Sequence, residues 1–299
     1  MKFHFIYKQR KEFRIVKMCQ VLKVSKSGYY KWLNNRDIGS TQAEKKKKVM
    51  SKIRRLFFEN RKVYGSPRIT RELHKEGVKL TEKTVGRYMR EMNLRAIPKQ
   101  KFVVTTDSKH NHPIYPNLLQ RQFNPDRPNT VWTTDITYIW TSQGWLYLAV
   151  VIDLFSRKIV GWSTEKTMTK ELPLRALNMA IRTRKPPKGL IHHSDRGSQY
   201  TSKDYIARLV ECKMQISMSR KGNCYDNACT ESFFASLKKE LVYRHKYTSR
   251  EKASKEIWKY IMSFYNVRRS HSTIGYVSPK EYEKMYREGA LQIQGDNAA

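Results

Sequence analysis

Three acidic residues in separate parts of the sequence are the first candidates for chemistry. Asp135, Asp195 and Glu231 lie far apart in a chain whose 60 Lys and Arg residues outnumber its 26 Asp and Glu residues. Carboxylate oxygens suit Mg²⁺, and two such ions about 4 Å apart can hold the attacking and leaving oxygens of a phosphodiester. Taken singly, each acid has a plain alternative: a solvent-facing strand residue, a turn residue and a helix-surface residue, respectively.

The elements that must position these acids follow from the hydrophobic pattern. The predicted strands are residues 130–140, 145–153, 158–163, 190–192 and 214–218, and the predicted helices are residues 169–184, 202–212 and 225–242. This order predicts an α/β domain of the RNase H-like class, with a mixed five-stranded sheet. A mid-strand Asp135, a strand-end Asp195 and a helical Glu231 would then converge at one edge of the sheet.

Helical spacing adds Lys238 to the candidate site. Asn227, Glu231 and Lys238 fall on one face of the last predicted helix. Lys238 lies roughly 10 Å beyond Glu231 along the axis, where a lysine could hold a phosphate as a point charge. The alternative is a solvated lysine beside Lys239.

Two other acids and one histidine near these positions have structural explanations. Asp153 ends a strand before a turn, where Asp is common. Asp226 fits a helix N-terminus, where the dipole favours a negative charge. His193 either packs in the core or positions DNA or an acid.

The N-terminal third is predicted to be helical. Residues 11–34 form two short helices, the second capped by Ser25, and residues 44–60 form a longer amphipathic helix. A helix begins at Ser66-Pro67 and stops at Gly77, and a last helix over residues 82–93 is capped by Thr81. Its outward side chains are basic: Lys83, Arg87 and Arg90. The pattern favours an α-helical helix-turn-helix region that binds DNA over a plain helical bundle.

The net charge of +34 over 299 residues indicates a polyanionic partner, most simply the phosphate backbone of nucleic acid. The N-terminus lacks the apolar core of a signal peptide, and no run of residues approaches the length of a membrane span. The four cysteines have no CxxC spacing, which favours reduced thiols in a cytosolic protein over a zinc site or a disulfide framework.

The sequences around the three acids carry a family resemblance. They are Asp135-Ile136-Thr137-Tyr138, His193-Ser194-Asp195-Arg196-Gly197-Ser198-Gln199-Tyr200, Asp226-Asn227-Ala228, and Tyr265-Asn266 followed by Arg269 and His271. Together with the spacing of the acids, they resemble the DDE triad of the retroviral-integrase superfamily. More narrowly, nearly the whole chain resembles the second-frame (OrfB) transposases of the IS3 class of bacterial insertion sequences.

The resemblance implies a DDE polynucleotidyl transferase that cleaves DNA at the ends of an insertion sequence. The freed 3′-OH then attacks another phosphodiester, which integrates the element by DNA recombination. Asp135, Asp195 and Glu231 become the catalytic residues and the ligands of two Mg²⁺ ions, with Mn²⁺ as a substitute. The basic position after Glu231 is assigned to Lys238. The C-terminal motif includes three residues suited to DNA phosphate: Arg268, Arg269 and His271.

The expected partners are the terminal inverted repeats, the target DNA, further copies of the chain assembled on DNA, and the upstream-frame product of the same element. The expected location is the bacterial cytoplasm, at the nucleoid and without a membrane. The predicted boundaries are a helical segment over 1–40, a helix-turn-helix-like domain over 44–96, a linker over 97–121, an integrase-type catalytic domain over 122–286, and a tail over 287–299.

Two other functions remain open on the sequence. One is a DNA-binding regulator with an inactive integrase-like domain, against which the presence of all three acids argues. The other is an RNase H-like nuclease without strand transfer, which would need neither end-specific binding nor joining. A strand-transfer assay with labelled element ends separates the three.

Overall fold

The computed structural model describes residues 1–96, 114–220 and 224–291, with side chains throughout these ranges except at 36–41, 224 and 225. The chain divides into two compact units, Met1–Ala96 and Ile97–Ala299. Most of the predicted linker, residues 97–113, lies outside the described residues. No helix in the described ranges is both long and apolar enough to cross a membrane.

The first unit is helical, and its helix starts follow the predicted caps. Ser25 Oγ accepts a hydrogen bond from the Gly28 amide at 3.0 Å, and Thr81 Oγ1 accepts one from the Thr84 amide at 3.3 Å. Gly77 has φ of +77°, the left-handed conformation that ends a helix most easily at glycine. The helices are α1 Lys2–Gln9, α2 Ile15–Val21, α3 Lys26–Glu59, α4 Ser66–Lys75 and α5 Glu82–Glu91.

Helix α3 corrects one expectation. The sequence predicts a short helix after Ser25 and a separate helix over residues 44–60, but the backbone is one helix from Lys26 to Glu59. The stretch between the two predictions contains no proline, and Gly39 costs a helix only about 1 kcal/mol, which tertiary context can override. The predicted boundary between residues 40 and 44 therefore falls inside a continuous helix.

The second unit is built on a five-stranded sheet in the order β3-β2-β1-β4-β5. Neighbours β1, β2 and β3 pair antiparallel, whereas β4 runs parallel to both β1 and β5. The strands are β1 Val131–Thr141, β2 Gly144–Asp153, β3 Lys158–Glu165, β4 Ile191–Ser194 and β5 Gln215–Met218. The helices are α6 Glu171–Arg184, α7 Lys203–Glu211, α8 Ala228–Glu240, α9 Arg250–Lys259 and α10 Pro279–Arg287. This arrangement confirms the predicted RNase H-like class.

Helix α6 packs closely on one face of the sheet. Its Ala176 and Ala180 are fully buried against that face, with Val151 and Val160 in the same core cluster. A Cβ atom at Gly161 of β3 would lie 2.1 Å from the Ala176 carbonyl oxygen. Glycine at this position therefore allows the helix backbone to approach the strand.

We expect Gly161→Ala to destabilise the second unit by about 1–3 kcal/mol, because the added methyl group forces helix and strand apart. The matched control is Gly86→Ala in α5, where an added Cβ meets only ordinary contacts at 3.6 Å. That change should leave stability unaltered or raise it, since alanine favours a helix. Urea unfolding of both full-length variants provides the measurement, and an unaltered midpoint for Gly161→Ala would contradict the close approach.

The C-terminal part closes the outer edge of the sheet. Helix α9 continues into a π-helical segment, Tyr260–Tyr265. Asn266 follows, and its side-chain amide donates to the Ile159 carbonyl at 2.9 Å and accepts from the Ile159 amide at 3.0 Å. A single side chain thus pairs with strand β3 on the side away from β2.

Candidate active site

The register of two parallel strands sets the positions of the first two acids. Thr133 of β1 pairs with His193 of β4. Asp135 lies two residues beyond this pair on β1, and Asp195 lies two residues beyond it, immediately after the end of β4. Because neighbouring strands run about 4.8 Å apart, the pairing brings the two acids close together. Asp195 Oδ1 accepts a hydrogen bond from the Gly197 amide at 2.9 Å, which fixes its carboxylate just past the end of β4.

Two polar side chains fasten the start of α8 to β1. Thr230 Oγ1 donates to Asn227 Oδ1 at 2.9 Å and forms a second hydrogen bond with the Thr133 hydroxyl at 3.1 Å. The Asn227 amide reaches the Thr134 carbonyl at 3.5 Å. Glu231 follows Thr230 directly, so the same contacts hold the third acid beside the strand that carries Asp135.

Asp226 lies just before α8 and is a structural residue. It is fully buried, and its carboxylate accepts hydrogen bonds from Arg220, Arg121 and Asn117. Burial alone would raise its pKa, but these hydrogen bonds lower the pKa of Asp226 to about 2. Sequence reasoning predicted a helix-dipole role and missed this ionic contact. The contacts of Asp226 connect residues 117–121, the end of the predicted linker, to the start of α8.

The three candidate acids act on one another electrostatically. Burial, followed by the charge of Asp195, raises the pKa of Asp135 well above its usual range, and Glu231 adds to the effect. Glu231 lies on the solvent side of the site, and partial desolvation raises its pKa. Asp135 is thus surrounded by like charge that a cation would neutralise.

The donor set fits a hard divalent cation, because all three side chains offer carboxylate oxygens and the charge of Asp135 is costly without a counter-ion. Within residues 1–96, 114–220 and 224–291, however, no three His, Cys, Asp or Glu side chains already converge on one metal position. Asp195 and Glu231 lie close enough to raise the pKa of Asp135, but the three carboxylates do not converge on a single metal position. Lys238 partly opposes that shift.

Lys238 lies on the same side as the acids. Its ammonium stands 5.0 Å from the centroid of the Tyr138 ring, within the range of a cation–π contact. Burial lowers the pKa of Lys238, while Tyr138 and Asp135 act in the opposite direction. Strand alternation alone places Tyr138 on the opposite face of β1 from Asp135, so the sequence does not predict the contact between Lys238 and Tyr138.

Two of the residues predicted to bind DNA, Arg269 and His271, are buried. The Arg269 guanidinium forms an ion pair with Glu240 at 2.9 Å and also donates to Ser236 Oγ at 2.9 Å. His271 is 9% exposed and lies beside Arg269. Burial alone would lower the pKa of Arg269, but the Glu240 carboxylate raises it. Of the three C-terminal candidates, only Arg268 is exposed.

His193 and Asp153 also have structural roles. His193 is fully buried between Ser217 and Ser219, at 2.8 Å and 3.1 Å, and burial lowers its pKa to about 4. It is therefore a neutral packed histidine, one of its two predicted alternatives.

Asp153 accepts a hydrogen bond from the Phe155 amide in the predicted turn and pairs with Arg184 at 3.0 Å, and burial raises the pKa of Asp153 to about 6.

The last helix of the first unit presents basic side chains to solvent. Helix α5 buries Val85 and Met89. Its exposed side chains include the predicted DNA-binding residues Lys83, Arg87 and Arg90. The helix therefore has the apolar inner face and basic outer face that a DNA-binding helix needs.

Comparisons with known proteins match both units. The family description "HTH-like domain" matches residues 44–102, and two descriptions of an "Integrase core domain" match residues 125–224 and 212–279. A transposase described as InsF for insertion sequence IS3A, from Escherichia coli strain K12, is 44% identical over 283 residues. The match covers 95% of this chain and 98% of that protein.

A second relative is an uncharacterized 31 kDa protein of insertion element IS600 from Shigella sonnei. It is 43% identical over 273 residues, which cover 91% of this chain and all of that protein. Among solved structures, a chain of the simian T-cell lymphotropic virus intasome in complex with PP2A regulatory subunit B56 gamma matches with a TM-score of 0.46 and 17% identity. That match covers 74% of this chain and 70% of the other.

Proposed function

Because the chain belongs to the transposase family of IS3-type insertion sequences, we propose that Asp135, Asp195 and Glu231 form its catalytic centre. The chain acts in transposition and DNA integration. Our proposal is that it is a DDE polynucleotidyl transferase that cleaves DNA at the ends of its element and joins them to a target. The observation that supports this proposal is the parallel pairing of β1 with β4, which brings Asp135 on β1 close to Asp195 just past the end of β4.

The reaction has two balanced steps. In cleavage, water attacks a phosphodiester at the element end, the bond from phosphorus to the 3′ oxygen breaks, and a 3′-OH is released. In joining, that 3′-OH attacks a target phosphodiester, forms a new P–O bond and releases the target strand's own 3′-OH. Neither step needs a covalent enzyme intermediate.

We propose that the three carboxylates hold divalent cations, two Mg²⁺ ions or Mn²⁺ in their place. When bound, such ions supply Lewis acidity towards the phosphodiester oxygens. Asp135 is held by strand β1, Asp195 is held by the Gly197 amide just past β4, and Glu231 is held through the contacts of Thr230 and Asn227 with β1. The protein's own contribution is therefore to keep the acids in place on a rigid sheet edge.

A strand-transfer assay tests the proposal. The full-length protein is incubated with labelled element ends, target plasmid and Mg²⁺. Joined product supports a transposase, cleavage without joining indicates a nuclease of the same fold, and end binding without either reaction indicates a regulator. Either of the last two outcomes would overturn the proposal. A negative result is repeated with the upstream-frame product of the element added, because we propose that product as a partner.

For binding, we propose that the helix-turn-helix-like unit contacts the terminal inverted repeats through Lys83, Arg87 and Arg90. Arg268 is the remaining C-terminal candidate for a phosphate contact. We further propose that several copies assemble on DNA and that the protein works at the bacterial nucleoid. The boundaries 44–96, 97–121 and 122–286 stay predictions.

We expect the affinity of the protein for any DNA to fall steeply as salt rises. Each phosphate contact that releases a counter-ion adds about −0.9 to the slope of log K against log [salt]. The net charge of +34 favours many such contacts. Fluorescence anisotropy over a range of NaCl concentrations measures the slope, and a slope near zero would contradict binding dominated by the DNA backbone.

Lys238→Ala should reduce strand joining and end binding by about tenfold or more, roughly 1.4 kcal/mol, because its charge stands beside Tyr138 and Asp135. Lys238→Arg should keep much of the activity, since a positive charge on phosphate is the main requirement. Joining rates and end affinities provide the measurement.

The matched control is the neighbouring Lys239→Ala, which should have little effect. Equal joining rates for the two alanine variants would mean that Lys238 is an ordinary surface lysine. Mg²⁺ affinity should be nearly the same in all of these variants, because a lysine ammonium has no lone pair for a metal.

A further inference from the structure

The β1–β2 hairpin carries a row of aromatic side chains that begins beside Lys238. The Tyr138 ring lies beneath the Lys238 ammonium and meets the Trp145 ring edge-on, with 5.0 Å between the ring centroids. The Trp145 ring in turn meets the Trp140 ring edge-on at 4.8 Å. Trp140 is 61% exposed and Trp145 is 43% exposed. This aromatic row, Tyr138, Trp145 and Trp140, runs from Lys238 into solvent.

The hairpin register explains why the three rings share a face. Trp140 is paired directly with Trp145, and Tyr138 precedes Trp140 by two residues on β1. Strand β4 stops pairing with β1 at Thr133, and β3 stops pairing with β2 at Tyr147. The outer part of the hairpin therefore extends as a two-stranded ribbon beyond the rest of the sheet.

The ribbon is held firmly at its tip. The Ser142 amide donates to the Tyr247 carbonyl at 2.9 Å, and the Arg250 amide donates to Gln143 Oε1 at 3.0 Å. Arg250 Nε also donates to the Trp145 carbonyl at 2.9 Å. A platform fixed in this way loses little conformational freedom on binding, so its exposed rings are suited to stack on a ligand.

The chemistry on either side of the row indicates the ligand. Lys238 lies at its inner end and Arg250 at the hairpin tip, so cations flank an apolar surface. Unpaired DNA presents flat apolar base faces between charged phosphates, and its bases stack on aromatic rings whatever the sequence. A second copy of this chain would carry the same strong positive charge and is disfavoured at a surface flanked by cations.

We propose that the aromatic row stacks unpaired bases of the DNA strand next to the candidate active site, an inference that rests on the proposed function. Asp135 and Trp140 are five residues apart on β1, roughly 17 Å at 3.3 Å per residue. Stacked bases rise about 3.4 Å each, so the row reaches bases within about five nucleotides of the reacting phosphodiester. The DNA end is therefore opened over this distance when it is bound.

Binding of two DNA ends by the full-length protein tests the inference. One end is fully paired, and in the other the terminal base pairs are replaced by mismatches. The wild-type protein should prefer the mismatched end. Trp140→Ala and Trp145→Ala should each weaken binding of the mismatched end by about tenfold, the effect of losing a base stack, and weaken the paired end less. Trp140→Phe should keep most of the preference, because phenylalanine can still stack.

The control is Trp258→Ala, which removes another exposed tryptophan on α9 and should not alter the preference. A second readout uses 2-aminopurine at the mismatched positions. Its fluorescence should be quenched by stacking on the wild-type protein and should recover in Trp140→Ala.

Equal binding of paired and mismatched ends by the wild-type protein would overturn the inference. A second outcome would also overturn it: Trp140→Ala and Trp145→Ala keep the preference for the mismatched end but lower the sedimentation coefficient of the protein without DNA. The aromatic row would then be a contact between copies of the protein. The assay reads binding alone. A mismatch preference without any strand joining would refute the proposed function and leave the stacking inference standing, whereas joining without a preference would refute the stacking alone.

Discussion

Asp135→Asn, Asp195→Asn and Glu231→Gln are each expected to lower DNA cleavage and strand joining by about a thousandfold or more, while binding of element ends persists. Losses of this size are typical when a group that acts at the reacting atoms is removed. Each change keeps the size of the side chain and removes one charged oxygen ligand. Cleavage and joining of labelled ends in Mg²⁺ provide the measurement.

Stability distinguishes a catalytic loss from a folding defect. Burial and neighbouring negative charge raise the pKa of Asp135, so a neutral Asn at this position should leave the melting temperature unaltered or raise it. The matched control is Asp204→Asn, an exposed carboxylate of α7 paired with Lys170, which should keep normal activity. Near-normal joining by any one triad variant would remove that residue from the catalytic centre.

The second large effect concerns the buried pair of Arg269 and Glu240. Glu240→Gln is expected to destabilise the second unit by about 3–5 kcal/mol, because it leaves a buried guanidinium without its counter-ion. The Tyr260 hydroxyl also donates to Glu240 at 2.7 Å, so the carboxylate joins the π-helical segment to α8. Urea unfolding followed by tryptophan fluorescence provides the measurement.

Two further variants separate a structural role from DNA binding. Glu251→Gln breaks the exposed pair with Lys255 and should change stability little. A double variant, Glu240→Leu with Arg269→Met, should recover most of the lost stability, since apolar side chains can replace a buried ion pair. If Arg269 instead bound DNA phosphate, the double variant would fold normally and show a shallower salt dependence than the wild-type protein.

The sequence was most informative where a local rule determines the outcome. Strand alternation and turn residues predicted the five strands in their order, and Ser25 and Thr81 predicted two helix starts through their caps. The spacing of Glu231 and Lys238 on one helix likewise requires only helical geometry. Such features depend on residues a few positions apart.

What the sequence could not predict depends on contacts between distant segments. A basic residue in a motif looks the same whether it faces DNA or a buried acid, and only the fold reveals that Arg269 meets Glu240. Asp226 binds the nearby Arg220, but it also binds Arg121, more than a hundred positions earlier. The prediction of two separate helices in place of α3 was wrong for a different reason, because the weak helix breakers between them do not end the helix.

The side-chain amide of Asn266 affects whether copies of this protein can associate through their sheet edges. An exposed strand edge is a template on which another chain can add a strand and begin aggregation. At Ile159 of the edge strand β3, the Asn266 side chain already binds both the backbone amide and the carbonyl. Another strand therefore cannot form backbone hydrogen bonds at this residue. The β3 edge is therefore blocked at Ile159, which opposes strand addition at this point when copies of the protein lie close together on DNA.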